Sequence, residues 1–102
     1  MAPRVTLEHI ESIIIDESYF TAAEGRAASN NKSDAASIPE HLARLTFCVL
    51  TLKNGFTVTG ESACAIVENF NEDIGRRIAR DNAISKIWPL EGYLLRQRIS
   101  EE

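Results

Sequence analysis

The segment Gly75-Arg76-Arg77-Ile78-Ala79-Arg80-Asp81-Asn82 carries the densest chemistry in the chain. On a helix, Arg76 and Arg80 stand one turn apart on one face with Arg77 at its edge, so their guanidinium forks can grip a compact anion bidentately. The bland reading of the same spacing is a solvated helix face on which the arginines pair with Asp73 and Asp81. Aromatic side chains are the second resource: Tyr19, Phe20, Phe56, Phe70, Trp88 and Tyr93. Most must serve the core of so small a chain. One or two displayed beside an arginine at a subunit boundary would form a stacking platform for a purine base.

Little else points to chemistry. Ser62 lies beside Glu61 and Cys64, but no histidine is close in sequence to activate it, and a serine in the turn after a strand explains it without catalysis. Glu61, Glu68, Glu72 and Asp73 cluster after the same strand, where capping and solvation account for most of them; a general acid/base pair stays open. His9 and His41 sit in separate segments without neighbouring ligands, so no metal site is expected. Cys48 lies in a strand-like run and Cys64 just after another, as small buried hydrophobes rather than a disulfide or metal pair. Gly55, Gly60 and Gly75 are too far apart for a Walker or Rossmann phosphate loop. The expectation is a binding protein with no cofactor and no enzymatic activity.

The elements that must position these residues follow from composition and periodicity. With 102 residues, 44% hydrophobic and 25% charged, the chain reads as one globular domain over 1–102 with a thin core. A net charge of -4 argues against a nucleic acid polymer as partner, so any phosphate-bearing ligand must be small and locally held. Nothing reads as a secretory leader or as an apolar span of about 18 residues, so no membrane partner is expected and a reducing cytoplasm is the compartment.

Thr6 is placed to cap a helix over about 7–17, in which Leu7, Ile10, Ile13 and Ile14 keep helical spacing. The β-branched run Ile13–Ile15 weakens its second half, and Ser18 to Ala22 equally well begin a strand. Residues 23–37 hold no large apolar side chain and read as a flexible surface loop. Pro39 opens a helical turn over 40–43. The run Leu45–Leu52, the Asn54-Gly55 pair and the run Phe56–Ser62 then predict a hairpin with a primed turn. The first run is apolar on both faces, as suits a central strand; Tyr19 and Phe20, or a second subunit, extend the sheet. Asn69 or Asn71 caps the next helix, whose buried stripe is Phe70, Ile74, Ile78, Ile84, Ile87 and Trp88. Gly75, Ala79 and Ala83 fall four residues apart and admit a neighbouring backbone. Pro89 ends or kinks this helix, and another runs from Leu90 to about Ile99. The predicted fold is α+β: an N-terminal helix, a small antiparallel sheet built on the hairpin, and two C-terminal helices packed on it.

The run from Leu45 through Cys64, followed by Glu68-Asn69-Phe70, Ile74-Gly75, Ile78-Ala79 and Lys86 through Tyr93, resembles a short protein family of tailed bacteriophages and prophages. The likeness covers roughly residues 5–100. The same pattern is similar to the first described class of phage sponges against Thoeris immunity. That resemblance implies a protein of the host cytoplasm that sequesters, without cleaving it, a cyclised ADP-ribose signal. Some members of that class also hold cyclic oligonucleotides of CBASS-type immunity. It further implies homo-oligomers, dimers or hexamers, with sites built between subunits. Carried over, it makes Phe56 or Phe70 the residue stacking on adenine, Arg76, Arg77 and Arg80 the diphosphate ligands, and Asn69 or Asn82 the contact to ribose or base edge. The alternative is a phage accessory protein that binds a host protein through its C-terminal helices, by the Gly75, Ala79 and Ala83 face or the part after Pro89.

Overall fold

A computed structural model describes residues 3–29 and 37–102. Its elements are α1 (Leu7–Ser12), β1 (Ile14–Thr21), α2 (Ala22–Ser29), β2 (Leu45–Leu52), β3 (Thr57–Ala63) and α3 (Glu72–Ser100), with 3-10 turns at Glu40–Arg44 and Val67–Asn69. The fold is α+β. The three strands form one antiparallel sheet in the order β1-β2-β3. β2 holds the centre, where a run apolar on both faces is best accommodated.

The hairpin pairs Leu50 with Val58 and Phe47 with Glu61. Its connection differs from the expected primed turn. Among the described residues only Gly55 has a positive φ, at 90°. The Gly55 amide donates to the Leu52 carbonyl at 2.8 Å, and the Leu52 amide donates to the Phe56 carbonyl at 2.8 Å. The link is therefore the three-residue kind in which a glycine in the left-handed region follows an ordinary turn. Asn54 contributes through its side chain, whose Oδ1 accepts from the Phe56 amide at 3.0 Å.

Thr6 does cap α1, its hydroxyl accepting from the His9 amide at 3.1 Å. The helix, however, stops at Ser12 instead of reaching residue 17. β-branched Ile13, Ile14 and Ile15 lose rotamer freedom in a helix, while β2 offers a whole edge to pair with. β1 takes that edge, setting Tyr19 against Cys48 and Phe20 against Phe47, with a register shift between Ile14 and Asp16. The expected flexible loop over 23–37 is corrected as well. Residues 22–29 are helical because Thr21 and Glu24 close a capping box: the Glu24 amide donates to Thr21 Oγ1 at 3.1 Å, and the Thr21 amide donates to Glu24 Oε1 at 2.8 Å. Positions 30–36 of that expected loop lie outside the described residues.

α3 begins at Asn71, whose Oδ1 accepts from the amides of Asp73 and Ile74. It then runs 29 residues without a break, about 44 Å at 1.5 Å per residue. Pro89 neither ends it nor divides it in two. Pro89 and Ser85, the residue four before it, are both exposed, so the carbonyl that loses its amide partner is on a face where water can replace it.

The core lies between α3 and one face of the sheet. Thr46, Cys48, Leu50 and Leu52 of β2, Val58 of β3 and Ile10 of α1 are buried with Ala79, Ala83, Ile84 and Ile87. Of the six residues of the predicted stripe, Ile84 and Ile87 are inside, Phe70 is half-buried, and Ile74, Ile78 and Trp88 are exposed. The cause is at Gly60, where an added Cβ would collide with the Ala79 carbonyl oxygen and the Ala83 amide nitrogen. Small residues on both elements bring helix and strand backbones together, so α3 turns its Gly75, Ala79 and Ala83 face to the sheet and leaves the larger isoleucines at the flank. On the opposite sheet face, the Phe20 and Phe47 rings pack with centroids 5.6 Å apart, and Gly25 of α2 approaches Phe20.

Candidate functional site

The arginine segment divides into three environments. Arg80 is bound from both sides. Its Nη1 donates to Glu11 Oε2 at 3.0 Å and its Nη2 to Glu11 Oε1, while its Nε reaches Glu17 Oε1 at 3.0 Å and Nη2 reaches Glu17 Oε2 at 3.1 Å. Tyr19 Oη donates to the same Glu17 at 2.7 Å. The Arg80 guanidinium holds both carboxyls below the usual carboxylate range, chiefly by hydrogen bonding, and the two carboxylates in turn raise the pKa of Arg80. Burial, reinforced by Glu17, pushes the Tyr19 phenol up. Arg80 is therefore a clasp joining α1, β1 and α3, and its partners are neither of the aspartates that spacing suggested. Arg76 faces another side, lining a shallow dent with Phe20, Thr21, Glu24, Thr46 and Glu72. Arg77 is exposed.

Phe56 stands elsewhere. Together with Leu52, Asn54, Leu90, Glu91, Tyr93 and Leu94 it lines a groove of about 240 Å³ between the hairpin tip and the second half of α3. Phe56 is 54% exposed and Tyr93 72%. Fourteen residues of α3 separate Arg76 from Leu90, or about 21 Å along the helix, so this chain's own Arg76, Arg77 and Arg80 do not reach the groove. Glu91 sits at its edge, with Oε1 2.6 Å from His9 Nε2.

Asn69 and Phe70 do come together, in a cleft of about 140 Å³ also lined by Cys64, Ile74 and Ile78. There the Cys64 thiol donates to the Ile66 carbonyl at 3.1 Å, and Arg44 Nη1 donates to the Cys64 carbonyl at 2.7 Å. Asn82 lies outside both cavities and donates from Nδ2 to the Glu61 carbonyl at 2.8 Å, tying α3 to β3. Cys48 is buried and free, its thiol pushed up by desolvation.

Of the seven residues singled out by sequence, the structure thus unites Asn69 with Phe70, places Phe56 and Arg76 in separate depressions, leaves Arg77 in solvent, and gives Arg80 and Asn82 structural partners. Leu90 and Leu94 join this groove without a site signal of their own in the sequence, and Tyr93 joins it as one of the six aromatics available for stacking. What sets them there is the apolar spacing after Pro89, which only matters once α3 is known to outrun the hairpin.

No helix among the described residues is long and apolar enough to cross a membrane. No curated protein and no solved structure shows significant similarity to the chain. A family profile does match, over residues 5–99, and so takes in the hairpin, the arginine segment and nearly all of α3. The chain belongs to the phage protein family described as N4 Gp49/phage Sf6 gene 66.

Proposed function

We propose that this phage protein acts in the host cytoplasm as a sponge, capturing a cyclic adenine-nucleotide immune signal without cleaving it. The observation that carries the reading is the groove at the hairpin tip, where the exposed residues Phe56 and Tyr93 line one depression with Leu90 and Leu94 over the buried Leu52. Exposed aromatic side chains, one in the hairpin connection just before β3 and one on α3, suit stacking on a purine, which has an apolar face on each side. The sequence likeness to Thoeris sponges supplies the ligand class, a cyclised ADP-ribose, with CBASS-type cyclic oligonucleotides as the related candidates.

Capture without turnover fits the disposition of the reactive side chains. The Cys64 thiol is engaged with a backbone carbonyl, and His9, paired with Glu91, lies near the other end of α3 from Cys64. The groove itself has a single carboxylate, Glu91, and no nucleophile beside a base.

Incubation with a panel of purified cyclic nucleotides, followed by heating to unfold the protein, tests the reading. Intact ligand should return in stoichiometric amount; altered ligand, or more than one product per protomer, rejects it. Phe56→Ala should weaken capture by about 1–3 kcal/mol, roughly 5- to 150-fold. An unchanged affinity in that variant would move the site away from the groove. The alternative host-protein reading loses its first surface, because Gly75, Ala79 and Ala83 are buried in this fold.

A further inference from the structure

The groove at the hairpin tip has a neighbour. Beside it lies a second depression of about 130 Å³, lined by Ile13, Leu52, Lys53, Asn54 and Glu91. Leu52, Asn54 and Glu91 line both, so the two meet along a shared wall. The groove is dominated by aromatic and aliphatic side chains, and the second depression holds a cation. We infer that Lys53 takes a phosphate of the captured nucleotide in this second depression while the base occupies the groove, an assignment that rests on the sponge reading for its ligand.

The groove itself lacks the positive charge that such a contact needs. Arg76, Arg77 and Arg80 are too far along α3, and Arg80 is already held by Glu11 and Glu17. Lys53, by contrast, is unspent. It is exposed, and no ion pair engages it among the described residues. The acid of its own depression, Glu91, is paired with His9 instead, at 2.6 Å. The lysine backbone is fixed, since its amide donates to the Ile13 carbonyl at 2.9 Å. A flexible four-carbon stem thus carries three rotatable donors from an anchored point. Asn54 adds a donor at the shared wall. Its Oδ1 accepts from the Phe56 amide, which leaves Nδ2, a group that donates and does not accept. Aromatic rings on one side and donors on the other match the order of groups in a nucleoside diphosphate, whose base and phosphates are separated by a ribose. The Glu91 carboxylate opposes an anion placed here, and its bond to His9 offsets that only in part. The contact to Lys53 is therefore expected to contribute about tenfold in affinity, at the low end for a hydrogen bond to a charged group.

Calorimetric titration of the full chain with cyclic ADP-ribose, ADP and adenosine tests the assignment. The first two share adenine and a diphosphate, and adenosine carries no phosphate. Lys53→Met should weaken binding of both diphosphates about tenfold and flatten its salt dependence, while leaving adenosine unchanged. Lys53→Arg should retain the affinity, and Phe56→Ala should weaken all three ligands. Diphosphate binding indifferent to Lys53→Met, or an equal loss for adenosine, overturns the proposal and leaves the groove standing. A loss confined to the diphosphates in Lys53→Met, with no effect of Phe56→Ala, upholds the phosphate site and rejects the groove as the base site. A wild type that binds none of the three overturns the phosphate site, and the panel of cyclic nucleotides then decides the sponge reading separately.

Discussion

Arg80 changes meaning once its neighbours are known. Its type advertises anion binding, yet both of its available edges are filled by Glu11 and Glu17. Each carboxylate has a folded pKa below its ordinary value, so the folded state binds fewer protons than the unfolded one in the acid range. The stability they contribute is complete above the unfolded pKa of about 4.3 and is lost as the pH falls through the lowered folded values. Thermal melts between pH 7 and pH 2 should therefore show a steeper acid limb for the wild type than for Arg80→Met. Both carboxylates are more than a third exposed, which screens the pairs and keeps the effect modest. If the two acid limbs coincide, the clasp does not couple to folding. Sequence alone offered Asp73 and Asp81 as partners, because it reports neighbours along a helix and not those that a strand and a short helix bring from sixty residues away.

At the scale of elements, the deciding contact is the approach of α3 to β3 at Gly60. The glycine is required there for space, not for backbone freedom, since a methyl group would meet the helix backbone. Gly60→Ala should cost about 3 kcal/mol or more, at the upper end of overpacking penalties, read as a fall in the urea midpoint at constant m. A loss below about 0.5 kcal/mol would mean that α3 is free to shift. Element boundaries are legible where a side chain closes them, as at Thr6, and to within two residues at the start of α3, where Asn71 rather than Asn69 is the cap. They were misread where a capping signal stood inside a polar stretch, as with Thr21 and Glu24, or where pairing with β2 overrode a continuing helical pattern, as at Ile13–Ile15.

At the scale of the whole molecule, the described residues have a radius of gyration of 17.3 Å and extents of 59 × 30 × 17 Å, against about 13 Å for a compact domain of this length. The excess is the second half of α3 leaving the sheet. A helix end with exposed Leu94 and Tyr93 and no sheet beneath it should open easily in an isolated chain. Amide exchange over residues 93–100 is accordingly expected to be much faster than exchange in the buried strand β2. Exchange over 93–100 as slow as in β2 would mean that the helix end is held as firmly as the core.

Sequence by itself determined the α+β class, the central hairpin, the cap at Thr6 and the membership of a phage family, because all of these rest on local periodicity, turn chemistry and motif; which of Asn69 and Asn71 caps α3 was decided by the structure. Tertiary structure alone decided which face of α3 is buried, what Arg80 holds, that Pro89 is bridged, and that Phe56 and Tyr93 share a groove. Those outcomes depend on how closely two backbones approach at Gly60 and on how far a helix outruns the sheet it rests on, and neither quantity is written in the spacing of residues along a single element.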